Sequence, residues 1–206
     1  MRIIPAASAA VAALALMSCG GTGGDGNDNG GYGAGEEEPT AAAPVDADES
    51  LAIEAAFEPY GDDATAVTYD EGLVPNGSEV DVTVTPTQDS TQFSLEVDDL
   101  EPDREYGAHL HTDQCGSHPD DSGPHYQDEL DPEQPSTDPT YANPDNEVWL
   151  DFTTDDDGDA ESETEVNWHV RTGEAQSIVI HADHTSHEPG AAGQAGDRLA
   201  CVNVPL

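Results

Sequence analysis

Residues 78–99, SEVDVTVTPTQDSTQFSLEVDD, contain two runs in which apolar and polar side chains alternate. A period of two residues is typical of a β-strand that buries one face and exposes the other. The pair Asp89-Ser90 between the runs has turn-forming chemistry. The stretch therefore predicts two neighbouring strands, 78–86 and 91–99, whose buried faces carry Val80, Val82, Val84, Phe93, Leu95 and Val97.

Similar alternation recurs further along the chain, for example at Val148, Leu150 and Phe152. No stretch after residue 60 has a convincing helical period, and we expect eight strands, at 64–70, 78–86, 91–99, 105–111, 147–153, 160–168, 176–181 and 198–204. Many short strands separated by turns favour an all-β fold, either a sandwich or a Greek-key barrel. Residues 112–146 lack any strand pattern, and a loop this long within a compact domain is usually functional or disordered.

The N-terminal part of the chain has the features of an export signal and a tether. Residues 1–18 contain Arg2, an apolar run shorter than the about 20 residues of a spanning helix, and then small residues. Residues 16–19, LMSC, resemble the lipobox of bacterial lipoproteins, which predicts a lipid anchor at Cys19 on the outer side of the cytoplasmic membrane. The alternative is an ordinary cleaved signal. Residues 19–50 are acidic and Gly-rich, as in a flexible tether, which leaves 51–206 for one folded domain.

The charge of the chain excludes some classes of partner. The sequence has 45 acidic and 4 basic residues, all four of them arginine, and a net charge of −41. Contact with nucleic-acid phosphates or with an anionic membrane surface needs clustered Lys and Arg, so neither is expected. Residues 51–206 alone contain 37 acidic residues and three arginines, a net charge of −34. This excess fits an adaptation to salt, although selection for solubility would give the same surface.

Eight histidines are present, and four of them lie where strands and the long loop could bring them together. His109 and His111 form an H-x-H pair on a predicted strand, so both side chains point to one face. His125 lies in the long loop, and His181 ends another predicted strand. Because imidazole is the commonest metal ligand, four such nitrogens predict a tetragonal Cu(II) site. A solvated surface position is expected for three others, His118, His169 and His187.

Five segments together resemble the copper/zinc superoxide dismutase family in order and approximate spacing over roughly residues 64–206. They are GAHLH (107–111), Cys115, GPHY (123–126), SIVIH (177–181) and GQAGDRLAC (193–201). The last segment is the most specific, because it places an arginine and a cysteine at fixed offsets. The resemblance implies an eight-stranded Greek-key β-barrel and an enzyme that converts superoxide to O₂ and H₂O₂ by alternating between Cu(II) and Cu(I).

The resemblance also implies roles for individual residues. It implies four copper ligands, His109, His111, His125 and His181. Cys115 and Cys201 would form a disulfide that pins the long loop to the last strand, which an oxidising compartment permits. Closing this loop would stabilise the fold by roughly 4 kcal/mol in the chain-entropy model. Arg198 would guide the superoxide anion to copper.

The zinc site of the family is where this sequence departs from the pattern. In zinc-containing members His125 would bridge two metals, and two more histidines and an aspartate would complete the zinc site. Residues 127–145 contain no histidine, and Asp145 stands near the place of the aspartate. Because one histidine and scattered carboxylates bind zinc poorly, we expect a copper-only member. The alternative is a rearranged zinc site that uses His118 or the acids. His184 and His187 are expected to be exposed; the alternative is an accessory patch that captures copper.

Two functions fit these residues. One is a dismutase with superoxide as its substrate, and the other is a copper-binding or copper-delivery lipoprotein with little turnover. The four copper ligands serve either function, whereas Arg198 favours the enzyme because a copper store has no use for it. The charge of the domain would repel superoxide at long range, although salt at 0.15 M screens beyond about 8 Å. Monomer and dimer both stay open.

Overall fold

The computed structural model describes residues 49–206, so Cys19, the predicted signal and most of the predicted tether lie outside the described residues. Nine strands are formed: β1 Leu51–Glu58, β2 Ala66–Thr68, β3 Glu79–Pro86, β4 Thr91–Asp98, β5 Glu105–His111, β6 Phe152–Thr153, β7 Ala160–Val166, β8 Ser177–His181 and β9 Arg198–Asn203. A single turn of 3₁₀ helix, Pro119–Ser122, lies in the long loop. Within residues 49–206, no helix is long and apolar enough to cross a membrane.

The strands form one sheet in the order β6-β5-β8-β9-β2-β1-β3-β4-β7. All neighbours are antiparallel except β1 and β2, which are parallel. The two edges of the sheet approach each other, since the hydroxyl of Ser162 in β7 donates to the carbonyl oxygen of Asp151, just before β6, at 3.0 Å. The sheet is therefore a nearly closed barrel, and the predicted all-β fold is confirmed.

Residues 49–206 form nine strands, whereas the sequence predicts eight. The additional strand is β1, in which Leu51, Ile53, Ala55 and Phe57 alternate with residues that include Ala52 and Ala56. Alanine on the outer face weakens the contrast in hydrophobicity between the two faces, so the sequence does not show the alternation typical of a strand. Of the predicted strand 147–153, only β6 forms a regular strand. The residues before β6 pair with β5 through an isolated antiparallel bridge between Trp149 and His109.

Strands β5 and β8, which carry His109, His111 and His181, are packed into the interior of the barrel. The apolar side chains of the alternating runs in β3 and β4 are at most 2% exposed. All five residues of β8 are buried, and β8 pairs with β5 on one side and β9 on the other. Side chains on β5 and β8 therefore have positions fixed by packing on both faces of the sheet.

The outer face of β1, β3, β4 and β7 carries a row of four acidic residues. The strand registers pair Glu54 with Asp81, Asp81 with Glu96, and Glu96 with Glu161. Like charges directly opposite one another on neighbouring strands destabilise a sheet, and salt screens that repulsion. The stability of this face is therefore expected to depend on ionic strength.

The long loop is fastened to the barrel near its start. The expected disulfide joins Cys115 to Cys201 in β9. Beside it, the backbone N–H of Cys115 donates to the side-chain oxygen of Asn203 at 2.9 Å. Further along the loop, the side-chain oxygen of Gln127 accepts the backbone N–H of Asp131 at 3.0 Å. The disulfide and the bond to Asn203 fasten the start of the loop to β9, whereas the bond between Gln127 and Asp131 holds the loop to itself.

Candidate metal centre

Four histidine side chains converge at one side of the barrel. His109 and His111 project from the same face of β5, and His181, the last residue of β8, pairs with Gly107 of β5. His125 comes from the long loop, where a bridge pairs its backbone with that of His111. One nitrogen of each ring lies within 4.8 Å of the others, and no other such group of His, Cys and carboxylate side chains is found within residues 49–206. The structure therefore brings together all four histidines expected from the sequence.

Backbone carbonyls determine which nitrogen is free in two of the rings. Nδ1 of His111 donates to the carbonyl oxygen of Gly123 at 2.9 Å, and Nδ1 of His181 faces that of Gly196 at 3.4 Å. With the proton on Nδ1, each ring keeps its lone pair on Nε2. These two Nε2 atoms face each other at 3.4 Å. Two facing lone pairs repel unless a cation lies between them, so this geometry fits a metal ion.

A buried carboxylate does the same for the third ring. Oε2 of Glu147 accepts Nδ1–H of His125 at 2.9 Å and the indole N–H of Trp149 at 2.8 Å. Its other oxygen accepts the side-chain amide of Gln127 at 2.7 Å. The side chain of Glu147 is only 2% exposed. Three donors therefore hold this carboxylate in place, and Nε2 of His125 is left with its lone pair toward the cluster.

In the fourth ring, that of His109, the hydrogen bond is made by Nε2 instead of Nδ1. Nε2 of His109 lies 2.6 Å from the hydroxyl of Thr185, whereas its Nδ1 is buried and has no hydrogen-bond partner. The cluster thus offers three Nε2 atoms and one Nδ1 atom. Imidazole nitrogens suit Zn, Cu, Fe and Ni, so the residues present fit a divalent first-row metal.

Burial keeps three histidines of the cluster neutral, His109, His111 and His181. The pKa values of His109 and His111 lie well below the ordinary value, chiefly because burial disfavours the charged ring and also because the neighbouring histidines repel it. Burial in the same surroundings lowers the pKa of His181 to about 3. Only a neutral imidazole has a lone pair to give to a metal, so these rings are ready to coordinate at neutral pH.

Arg198 lines a cavity of about 230 Å³ beside the cluster, together with His125 and His181. Its guanidinium is held by a hydrogen bond from Nη1 to the hydroxyl of Ser122 at 2.8 Å. Burial lowers the pKa of Arg198, and the charge of Asp120 opposes that shift. A guanidinium is still protonated at neutral pH, so the cavity has a fixed positive charge in its wall.

The residue proposed from the sequence as a possible zinc ligand does not join the centre. The side chain of Asp145 is exposed, and its backbone carbonyl accepts the indole N–H of Trp168 at 2.9 Å. The residue next to Nδ1 of His125 is instead Glu147, two positions further along the chain. Pairing His125 with Asp145 at a zinc site is therefore not supported by the geometry.

The remaining histidines lie outside the cluster. His118, His184 and His187 are exposed, as expected, whereas His169 is half-buried, which corrects the expectation of a solvated position. His184 bonds through Nε2 to a backbone carbonyl of β6 at 2.8 Å, and the ring of His187 packs edge-on against Trp149 with centroids 5.0 Å apart. These separate contacts give no support to a shared patch for copper capture.

Three polar residues at the centre were missed by reasoning from the sequence: Glu147, Asp151 and Thr185. The first two carried a usable signal. In EVWLD (147–151), Val148 and Leu150 are buried in the core, so the alternate residues share the face on which Trp149 meets His109. Thr185 follows no regular pattern, because it lies in the irregular chain between β8 and β9.

Taken together, the nearly closed barrel and the four converging imidazoles define a β-barrel protein with a metal-binding centre. The family model for copper/zinc superoxide dismutase (SODC) matches residues 78–204, more than half of the chain. The chain belongs to the copper/zinc superoxide dismutase family. Comparison with curated protein sequences gives no match.

Several solved structures are similar to this one. A Cu/Zn superoxide dismutase from Brucella abortus is 16% identical, with 77% of this chain and 100% of that chain covered and a TM-score of 0.48. A double mutant of a SOD-like protein from Bacillus subtilis is 15% identical, with coverages of 62% and 90% and a TM-score of 0.45. A single mutant of that Bacillus subtilis protein is 15% identical, with coverages of 63% and 91% and a TM-score of 0.48. The family assignment rests on the sequence match to the family model.

Proposed function

We propose that this protein is an exported, copper-dependent superoxide dismutase that works without zinc and is anchored to the membrane by lipid at Cys19. The observation that carries the proposal is the convergence of four imidazole lone pairs next to a cavity with Arg198 in its wall. Superoxide is a small anion, and a cluster of four imidazole nitrogens beside a fixed guanidinium suits a metal that exchanges electrons with such an anion.

Copper, when bound, would supply the one-electron chemistry that oxidises one superoxide to O₂ and reduces the next to H₂O₂. The protein itself binds and orients. Within residues 49–206, the hydrogen bonds of Arg198 are made by Nη1, which leaves Nε and Nη2 free to donate to an anion in the cavity. Two protons are also needed for H₂O₂. His125 has an 18% exposed side chain, whereas His109 and His111 are fully buried, so it is the better placed of these three to exchange a proton with water.

The position of Glu147 supports a centre that works without zinc. Its carboxylate lies at the nitrogen of His125 that would otherwise face a second metal, and it already accepts hydrogen bonds from Gln127 and Trp149. Glu147 thereby keeps the proton on Nδ1 and orients the ring, which a second metal would otherwise do.

The deciding experiment combines metal content with superoxide turnover on the purified protein, loaded with copper, zinc or both. We expect one copper, no zinc and fast turnover that is lost in His181→Ala. The matched control is His187→Ala, which removes an exposed histidine outside the cluster and should change neither quantity. Copper without turnover would indicate a copper-binding or copper-delivery protein, and stoichiometric zinc would contradict a copper-only site.

The role of Arg198 separates the enzyme from the copper-binding alternative. Arg198→Gln should lower turnover by about tenfold, about 1.4 kcal/mol in transition-state stabilisation, and leave copper content unchanged. Arg171→Gln is the control, because Arg171 pairs with the exposed Glu174 at the surface. An unchanged turnover in Arg198→Gln would remove the main argument for the enzyme.

The membrane anchor has its own test. Cells that grow with labelled palmitate should incorporate the label into the full-length protein but not into Cys19→Ser. Labelling of neither protein would favour an ordinary cleaved signal.

A further inference from the structure

Asp151, Thr185 and His109 form a chain of short hydrogen bonds at the edge of the metal centre. The hydroxyl of Thr185 lies 2.6 Å from Nε2 of His109 and 2.5 Å from Oδ1 of Asp151. The backbone N–H of Thr185 donates to the other oxygen of the same carboxylate at 2.8 Å. Asp151 itself is 3.9 Å from Nε2 of His109, too far for a direct hydrogen bond. Within residues 49–206, the hydroxyl of Thr185 is therefore the only hydrogen-bonded link between the Asp151 carboxylate and the His109 ring.

The direction of the protons in this chain follows from donor and acceptor chemistry. An ionised carboxylate only accepts, so the single hydroxyl proton of Thr185 is donated to Asp151. Toward His109 the hydroxyl can then only accept, which requires the proton of the ring to be on Nε2. His109 is 0% exposed and Thr185 is 6% exposed, so bulk water does not readily replace this contact.

This arrangement sets His109 apart from the other three rings. They keep their protons on Nδ1, through Gly123, Gly196 and Glu147. Nδ1 of His109, by contrast, is buried and has no partner. A ring released from Thr185 could place a proton on Nδ1 and donate it to the lone pairs of the cluster, which would block the position of a metal.

We propose that Thr185 and Asp151 are positioning residues that select the Nε2–H tautomer of His109 and so present Nδ1 to the metal. The inference rests on the proposed function only in naming copper as the metal. It gives the segment between β8 and β9 a definite role, because that segment supplies the hydroxyl.

The first test uses metal-free protein and needs neither copper nor superoxide. Long-range ¹H–¹⁵N NMR spectra at neutral pH distinguish the two tautomers of each ring. We expect Nε2–H for His109 and Nδ1–H for His111 in the unaltered protein. Thr185→Val, which removes the hydroxyl at nearly constant volume, should shift His109 toward Nδ1–H, and Thr185→Ser should restore Nε2–H. An Nδ1–H tautomer in the unaltered protein, or no change in Thr185→Val, would overturn the proposal.

The second test measures Cu(II) affinity by competition with a chelator and the EPR spectrum of the bound ion. Loss of such an outer contact costs about 10–100-fold in metal affinity, so we expect that loss in Thr185→Val and recovery in Thr185→Ser. The matched control is Thr154→Val: Thr154 is 3% exposed and donates to the carbonyl of Glu101 at 2.8 Å. An equal loss of affinity in this control would mean general destabilisation and would refute the proposal. Correct tautomers and tight copper binding without turnover would refute the dismutase and leave the positioning role intact.

Discussion

Glu147 is the residue at which a single change should affect both stability and metal binding. Glu147→Gln keeps the shape of the side chain but replaces one acceptor oxygen by an NH₂ donor. One oxygen of Glu147 faces the amide of Gln127, and the other faces His125 and Trp149. Either orientation of the new amide therefore puts its NH₂ group against an existing N–H. Gln127 cannot easily turn to compensate, because its own oxygen already accepts the backbone N–H of Asp131 at 3.0 Å.

The size of the effect follows from these bonds. A hydrogen bond to a charged group contributes about 1.5–3 kcal/mol, and an unpaired buried donor costs about 1–3 kcal/mol. In the less costly orientation only the bond from Gln127 is lost, so we expect Glu147→Gln to lower the free energy of unfolding by about 2–3 kcal/mol. Copper affinity should fall by about tenfold, because the amide oxygen that remains against Nδ1–H of His125 is a weaker acceptor than the carboxylate and holds the ring less firmly.

Urea unfolding of the metal-free protein and copper competition with a chelator measure these two quantities. Glu174→Gln is the control, since Glu174 pairs with Arg171 at the surface and should change stability by less than about 1 kcal/mol. Unchanged stability and unchanged copper affinity in Glu147→Gln would refute the reasoning. Zinc bound by the unaltered protein and lost in Glu147→Gln would show that Glu147 is a zinc ligand instead.

Three further outcomes are expected from the charges of the protein. The pKa values of His109, His111 and His181 are lowered by burial in the folded state, so the unfolded chain binds more protons below about pH 6.5. Stability of the metal-free protein should therefore fall between pH 7.5 and 5.5 by about 1.4 kcal/mol for each ring and about 4 kcal/mol in total; chemical unfolding that is independent of pH in this range would contradict the assignment. Glu96→Gln, in the middle of the acidic row, should stabilise the protein by about 1 kcal/mol at low salt and by much less at 1 M salt. Glu163→Gln, which faces Ser94, should stabilise less, and equal gains would mean that total charge rather than strand register matters. Superoxide turnover should rise from low to moderate salt at constant copper occupancy, because screening weakens the repulsion of an anion by the acidic domain; a steady fall would contradict this.

The sequence predicts the strands wherever one face is apolar and the other polar. It identifies β3 and β4 to within one residue, because Val80 to Val97 alternate with charged or hydroxyl side chains. It misses β1, where alanines occupy outward positions. The histidines could be selected in advance because their flanking residues resemble a family, and H-x-H fixes the relative direction of two rings.

The outer contacts of the centre could not be predicted in the same way. Glu147 and Asp151 lie two residues on either side of Trp149, and their positions depend on the bridge between Trp149 and His109. The alternation in EVWLD (147–151) indicates that these two acids share a face, but the pairing of this face with His109, some 40 residues earlier, is set by tertiary packing. Asp145 and Glu147 are equally plausible as acids in a sequence, and only the register of this segment decides which one meets His125.

In this strongly acidic domain, the acids nearest the metal centre act differently from the acids on the surface. Coulomb repulsion from surface carboxylates is screened by salt over distances of about 8 Å, whereas a hydrogen bond in a buried site is not exposed to that screening. Glu147 is buried, and its carboxylate accepts three hydrogen bonds, one of which orients His125. The hydroxyl of Thr185 donates to Asp151 and accepts from Nε2 of His109, so the carboxylate orients the ring through a neutral group. The centre therefore uses its nearest acids to fix ring tautomers, while the acids of the outer sheet face act on the stability of the fold and on the approach of the anion.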